Sequence, residues 1–116
     1  MLDIGCSTGY LGKKLKEQGN TVTGVDISRD AVSEAKKVLN NAWCLDVENN
    51  DIPGGKYDLI IASEIIEHLF DPVLFLEKIK KSLEINGRVL ISTPNFLHLY
   101  NRKNFLLGRM AYDESG

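Results

Sequence analysis

Residues 2–12 read Leu-Asp-Ile-Gly-Cys-Ser-Thr-Gly-Tyr-Leu-Gly, a short apolar segment that runs into a glycine-containing turn. The pattern predicts a β-strand, a loop and then the first turn of a helix. Gly5 and Gly9 are candidates for a positive φ or for close ligand contact, and Gly12 for close packing of the helix. The segment therefore predicts a ligand-binding turn at the end of the first strand.

The glycine spacing of this turn, GxxxGxxG, differs from two phosphate-binding patterns. A dinucleotide site reads GxGxxG, and a triphosphate site ends in Gly-Lys-Ser/Thr. Because no basic residue lies between Met1 and Gly12, a phosphate there would meet only backbone amides and the helix dipole. The acidic Asp3 instead favours a ligand with a cationic group. A glycine turn of purely structural function is the alternative.

Apolar segments alternate with segments of helical period along most of the chain. Strands and helices are predicted at the following positions: strands at 1–4, 21–25, 42–45, 57–62 and 88–93, and helices at 10–18, 29–39 and 72–83. Ser28 is the predicted N-cap of the second helix, Asp71-Pro72 opens the third, and Asn86-Gly87 follows its end. This order predicts an α/β fold with a Rossmann-like, doubly wound and mostly parallel sheet of about five strands.

Acidic residues follow the second and third predicted strands. Asp26 stands where an acid in such a fold can accept hydrogen bonds from ribose hydroxyls, and Asp46 ends the next strand. Since the carboxyl ends of parallel strands share one edge, Gly5, Asp26, Asp46 and residues 62–64 are expected to line one crevice. A nucleoside that carries a positive charge would suit this crevice. Taken singly, each aspartate is better explained as a helix cap or a turn residue.

Four segments carry a resemblance to a known family. In chain order they are LDIGCSTGYLG, VTGVDIS, YDLIIASEIIEHL with the Asp-Pro that follows it, and GRVLISTPN, and they span most of residues 1–95. Together they resemble the class I S-adenosylmethionine-dependent methyltransferases, in the branch of the ubiquinone-biosynthesis-type O-methyltransferases. The resemblance implies S-adenosyl-L-methionine as cofactor, S-adenosyl-L-homocysteine as product, and methyl transfer to a small-molecule acceptor through a hydroxyl oxygen.

The resemblance also implies which residues contact the cofactor. They are expected in three groups: Asp3, Gly5 and Gly9 at the methionine part, Asp26 at the ribose, and Leu45, Asp46 and Val47 at the adenine. The predicted cofactor contacts also include Cys6, Ser7, Ile27 and Ser63. Ser7 stands where the family often has glycine, and its small side chain is expected to preserve the turn.

His68 is the candidate catalytic base. Methyl transfer from a sulfonium mainly requires alignment and exclusion of water, and a hydroxyl acceptor is assisted by a base. Glu64, Glu67 and His68 lie at i, i+3 and i+4, and in related methyltransferases such a patch can hold a divalent metal, with His98 as a candidate further ligand. This ligand set is incomplete, so no metal is predicted. A structural histidine at position 68 is the alternative.

Composition limits the class of protein. The 116 residues carry 14 Lys+Arg against 16 Asp+Glu, a net charge of −2, which argues against a nucleic-acid partner. No apolar run of about 18 residues and no secretion signal pattern occur, so a cytoplasmic protein without a membrane span is expected. Cys6 and Cys44 form no CxxC pair and are expected to be free thiols.

One domain is expected over 1–116, with its core ending at about residue 95 and a tail or the start of an acceptor-binding insertion over 96–116. The family fold has a final antiparallel hairpin and helices before its first strand, and the sequence matches neither, which suggests a truncated domain. The fifth strand is then expected to be an exposed edge, and a homodimer could form through this edge or through the apolar tail.

Two other functions stay open at this point. One is a non-catalytic S-adenosylmethionine-binding or dimerising module. The other, weaker alternative is an NAD-dependent oxidoreductase, which the wide glycine spacing disfavours.

Overall fold

The structure is a computed structural model that describes residues 1–63, 65, 68–92 and, for the backbone alone, 110–113. Within these ranges the chain forms a parallel sheet of six strands in the order β3-β2-β1-β4-β5-β6, flanked by helices. The elements are β1 (Leu2–Ile4), α1 (Tyr10–Glu17), β2 (Thr23–Asp26), α2 (Arg29–Ala35), β3 (Asn41–Cys44), β4 (Tyr57–Ser63), α3 (Pro72–Lys81), β5 (Leu83–Ser92) and β6 (Met110–Asp113). The predicted doubly wound, Rossmann-like α/β fold is confirmed.

Strand β1 lies at the centre of the sheet, where the winding direction reverses. Leu2 pairs with Thr23 of β2 on one side and with Ile60 of β4 on the other. The chain therefore runs outward from β1 to β2 and β3, and then crosses back to β4 and β5. In open parallel sheets, ligand sites lie at the carboxyl ends of the strands beside such a reversal.

Apolar clusters on the two faces of the sheet form the core. One cluster packs Phe75 and Ile79 of α3 against the central strands, with Val25 of β2 among them. The other contains Val32 and Leu39. Because side chains alternate between the faces of a strand, the next residue in β2, Gly24, faces this second cluster.

The second predicted helix ends earlier than expected. Helix α2 stops at Ala35, whereas the pattern predicted helix as far as Leu39. The Lys37 and Val38 amides bond three residues back, to the carbonyls of Glu34 and Ala35, which tightens the chain into turns. Leu39 is still buried, so its apolar character reflects core packing after the helix has ended.

The third predicted helix was also too long. Helix α3 ends at Lys81, and Leu83 begins β5 opposite Tyr57. Leu59 then pairs with Arg88, so residues 84–87 form a bulge in β5. Asn86-Gly87, predicted to follow the helix end, therefore lies inside a strand. A Cβ on Gly87 would approach the carbonyl oxygen of Tyr57 to 3.0 Å, which explains the glycine there.

Strand β6 corrects the expectation of an exposed fifth strand. Its backbone pairs in parallel with β5, from Met110 opposite Val89 to Asp113 opposite Ser92. Because β5 is not the edge strand, the homodimer predicted through its free edge loses its basis. The predictions for the rest of the tail, over 93–109 and 114–116, lie outside the described residues. None of the helices in the described ranges is both long and apolar enough to cross a bilayer.

Candidate functional site

A cleft of about 360 Å³ opens at the carboxyl ends of β1, β2 and β4 and is closed on one side by the loop after β3. Its volume lies within the range of roughly 300–1,000 Å³ typical of small-molecule sites. Eight of the predicted site residues line it: Gly5, Asp26, Ile27, Leu45, Asp46, Val47, Ser63 and His68. The structure therefore brings together the strand-end residues that the sequence placed at one edge.

The loop between β1 and α1 has the left-handed backbone that its glycines predicted. Gly5 has a φ of 77° and Gly9 a φ of 90°, and between them Ser7 has a φ of 53°. For a non-glycine residue this conformation costs on the order of 1–3 kcal/mol. Ser7 thus adopts a left-handed conformation between the two glycines, with some backbone strain. A Cβ on Gly12 would lie 2.6 Å from Leu39 Cδ2, which confirms its predicted close packing.

Asp26 connects the glycine loop to the segment after β2. Its Oδ2 accepts a hydrogen bond from the Ser7 amide at 2.8 Å, and its Oδ1 accepts one from the Ser28 amide at 2.9 Å. The N-cap of α2 is Ser28, whose Oγ accepts from the Ala31 amide, so Asp26 is not the helix cap. Each carboxylate oxygen has acceptor capacity left for a hydroxyl donor in the cleft.

Asp46 organises the loop after β3. Its Oδ1 accepts from the Glu48 amide at 3.0 Å, and its Oδ2 accepts from Asn49 Nδ2 at 2.7 Å. The turn interpretation of Asp46 is therefore correct, and Asp46 also lines the cleft. Apolar Leu45 and Val47 flank it on the same wall.

Asp3 lies in β1, just before the glycine loop, and does not line the cleft. The residue is only 3% exposed. Burial, and secondarily the negative charge of Asp26, raises the pKa of Asp3 to about 6. A buried carboxylate with a raised pKa favours a nearby cation, because a positive charge would stabilise its ionised form.

Cys6 is buried beside Asp3, whereas Cys44 is exposed, and both are free thiols as predicted. Burial, followed by the negative charges of Asp3 and Asp26, raises the pKa of the Cys6 thiol to about 12. A protonated thiol is a poor nucleophile, so Cys6 serves packing against Gly24. Cys6, Ser7 and Gly9 belong to the loop but, like Asp3, are not part of the cleft wall.

His68 is exposed on the cleft wall, and its backbone amide donates to the Ile65 carbonyl at 3.0 Å. Glu64, Glu67 and His98, the other members of the suggested metal patch, lie outside the described residues. Within 1–63, 65 and 68–92, no three acidic, histidine or cysteine side chains gather as a metal site would require.

Five lining residues were missed by the sequence analysis: Ile4, Val25, Glu48, Ile65 and Leu69. Glu48 follows Asp46 by two residues, and this proximity was the available signal. Ile65 and Leu69 lie on either side of His68 in the sequence. Ile65 Cδ1 comes within 3.7 Å of the Cβ position of Gly5, so the segment after β4 contacts the glycine loop directly.

Comparison with known proteins shows which family the chain belongs to. Residues 2–89 match a family model described as a methyltransferase domain. The chain is 34% identical to the ubiquinone biosynthesis O-methyltransferase of Bradyrhizobium diazoefficiens, over 92% of this chain and 43% of that protein. It is 35% identical to the enzyme of the same name from Nitrobacter winogradskyi, over 96% and 43%. The chain thus spans less than half the length of these relatives.

Two solved methyltransferase structures have a fold similar to that of this chain. The plantazolicin methyltransferase BpumL in complex with S-adenosylhomocysteine superposes with a TM-score of 0.71 at 28% identity, over 78% of this chain and 37% of that one. Coclaurine N-methyltransferase, bound to N-methylheliamine and S-adenosylhomocysteine, gives 0.68 at 26%, over 76% and 28%. With its sheet order, its glycine loop and its strand-end aspartates, the chain belongs to the methyltransferase domain family.

Proposed function

We propose that this domain binds S-adenosylmethionine and transfers its methyl group to a hydroxyl oxygen of a small molecule. One observation carries the proposal: Asp26 and Asp46 line the same cleft, and a third carboxylate, that of Asp3, is buried two residues before the glycine loop. The relatives named O-methyltransferase, and the structural neighbours with S-adenosylhomocysteine, support the same assignment.

The lining chemistry fits this cofactor. Among the described residues that line the cleft there is no lysine or arginine, so a phosphate group would find no cationic side chain there. Carboxylates can accept hydrogen bonds from ribose hydroxyls and from an adenine amine, and they favour a cationic ligand. A positively charged nucleoside without phosphates suits this wall better than NAD does.

Each part of the cofactor has candidate partners. Asp26 would hold the ribose hydroxyls, Asp46 the adenine amine, and Leu45 and Val47 the faces of the adenine ring. The loop from Gly5 to Gly9, with Cys6 and Ser7, would approach the methionine part with its backbone. Asp3 would favour the methionine ammonium by its charge, while Ile27 and Ser63 complete the wall.

The reaction requires little covalent chemistry from the chain. When bound, the cofactor supplies an electrophilic methyl group on a sulfonium. The chain's residues align the acceptor with that methyl group and exclude water. His68 would accept the hydroxyl proton on an imidazole nitrogen as the acceptor oxygen attacks. The cytoplasmic location and the single domain over 1–116 stay predictions from sequence.

Turnover tests the reaction. Formation of S-adenosylhomocysteine from S-adenosylmethionine is measured with small aromatic and aliphatic hydroxyl compounds, and with their methyl ethers as matched controls. We expect product only with the free hydroxyls. His68→Ala is expected to lower kcat by about 10²–10⁴-fold, while the Kd for S-adenosylhomocysteine changes far less.

Other outcomes separate the alternatives. Transfer to amines or carbon acceptors alone would contradict the hydroxyl assignment. Full turnover by His68→Ala would remove the base role. Binding of S-adenosylhomocysteine without transfer to any acceptor would favour the non-catalytic module.

A further inference from the structure

Lys78, on helix α3, reaches into the loop after β3. Its Nζ donates hydrogen bonds to three backbone carbonyls, those of Val47 at 3.1 Å, Glu48 at 2.8 Å and Asn50 at 3.2 Å. An ammonium group has three N–H donors, so this loop uses the full donor capacity of the side chain. Lys78 is half-buried, unlike the neighbouring Lys80, which is exposed.

A second charged side chain fastens the same loop to the start of α3. Glu48 Oε2 accepts hydrogen bonds from the backbone amides of Phe70 at 2.7 Å and Asp71 at 3.3 Å. The cation of Lys78 therefore holds the loop carbonyls from the helix, while the Glu48 carboxylate holds the amides that precede the helix. Both links use an ionised group, and such hydrogen bonds are roughly twice as strong as neutral ones.

The loop after β3, held by Lys78 and Glu48, forms the cleft wall assigned to the nucleoside. Asp46, Val47 and Glu48 all line the cleft, and two of the three carbonyls held by Lys78 belong to Val47 and Glu48. We propose that Lys78 is a positioning residue that holds this wall in the conformation that binds the nucleoside half of the cofactor. The inference rests on the proposed function, because it assumes that a nucleoside occupies this wall.

Loss of the ammonium has a defined consequence. Without Lys78, the three carbonyls lose a common donor, and the loop gains conformations in which Asp46 and Val47 no longer face the nucleoside. The affinity then falls in proportion to the fraction of molecules whose loop is still competent. A competent fraction of about one tenth lowers the affinity about tenfold.

A comparison of two ligands distinguishes a positioning role of Lys78 from a general disruption of the fold. The Kd values of S-adenosylhomocysteine and of adenosine are measured by calorimetry for the wild type, Lys78→Met and the matched control Lys80→Met, well below the melting temperature of each. We expect Lys78→Met to weaken both ligands by about the same factor, roughly tenfold, because both carry the nucleoside. Lys80→Met is expected to match the wild type.

Unlike Lys78→Met, Asp3→Asn should affect the two ligands differently. Adenosine has no ammonium group, so Asp3→Asn is expected to weaken S-adenosylhomocysteine and to spare adenosine. Faster amide hydrogen exchange at residues 48–50 in Lys78→Met would accompany the loss of affinity. If Lys78→Met does not fold, Lys78→Gln, which is shorter and uncharged, gives the same comparison.

The measurements distinguish a failure of the positioning role of Lys78 from a failure of the proposed function. If the wild type binds both ligands and the Lys78 variants bind them within twofold of it, the positioning role is wrong and the proposed function stands. An equal loss in Lys80→Met would also overturn the role, since it would assign the effect to charge on α3 in general. If the wild type binds neither ligand, the proposed function fails, and the inference fails with it.

Discussion

Asp3→Asn is expected to stabilise the folded domain at pH 7 by up to about 3 kcal/mol while weakening its binding of S-adenosylhomocysteine. In the folded state the pKa of Asp3 is about 6, against an ordinary value of 3.8. That difference corresponds to about 3 kcal/mol at 1.36 kcal/mol per pH unit. The wild type therefore keeps an ionised carboxylate in a place that disfavours it, as a functional site does when its ligand supplies the missing charge.

The sign of the pH dependence follows from the raised pKa. Between about pH 4 and pH 6 the folded state binds more protons at Asp3 than the unfolded state does. The Asp3 contribution to wild-type stability therefore falls as the pH rises through this window and is constant above it. Denaturant unfolding of the wild type and Asp3→Asn from pH 4 to pH 8 measures this difference. Asp51→Asn, at an exposed position, is the control.

Ligand binding should show the opposite slope. The ligand ammonium favours the ionised form of Asp3, so the affinity of the wild type for S-adenosylhomocysteine is expected to rise about tenfold from pH 5 to pH 7. Asp3→Asn should lack this rise. Tighter binding by Asp3→Asn at pH 7, or an unchanged slope, would contradict the role assigned to the buried carboxylate.

Phe75→Ala is expected to destabilise the domain by about 3–5 kcal/mol, whereas Phe70→Ala should change the free energy of unfolding by no more than about 0.5 kcal/mol. The two phenylalanines lie five positions apart, but Phe75 is 1% exposed and Phe70 is 99% exposed. Phe75 packs with Leu76 and Ile79 of α3 in the core cluster that includes Ile4 of β1.

Denaturant unfolding at constant pH measures both variants. Most domains have only about 5–15 kcal/mol of stability, so Phe75→Leu serves as a milder replacement should Phe75→Ala remain unfolded. Equal effects at the two positions would mean that α3 does not pack on the sheet as described.

Local patterns predicted the strands and the starts of the helices well, because apolar runs mark the strands and capping residues such as Ser28 and Asp71 mark where helices begin. It predicted the helix ends poorly. Leu39 and Leu83 continue the helical spacing of apolar residues, yet a turn buries the first and strand pairing takes the second. Strand β6 was missed because Met110–Asp113 is only four residues long and its surroundings show no clean period.

The candidate site was likewise predicted from the sequence only in part. Acids at strand ends predicted the composition of the cleft, since the topology of a parallel sheet brings those ends together. Which loop residues face the cleft depends on contacts between distant segments. Asp3 is buried outside the cleft wall, and Lys78 reaches the loop after β3 across more than 25 residues of sequence. No local pattern distinguishes this lysine from the solvent-exposed lysines beside it on α3.

The most direct test of the account is a calorimetric titration of the wild type and Asp26→Ala with S-adenosylhomocysteine and, separately, with NAD. The account predicts that the wild type binds S-adenosylhomocysteine at one site and does not bind NAD. Asp26→Ala should bind about 10–100-fold more weakly, because it removes a charged acceptor of the ribose hydroxyls and the anchor of the Ser7 amide. Binding of NAD alone, or undiminished binding by Asp26→Ala, would contradict it.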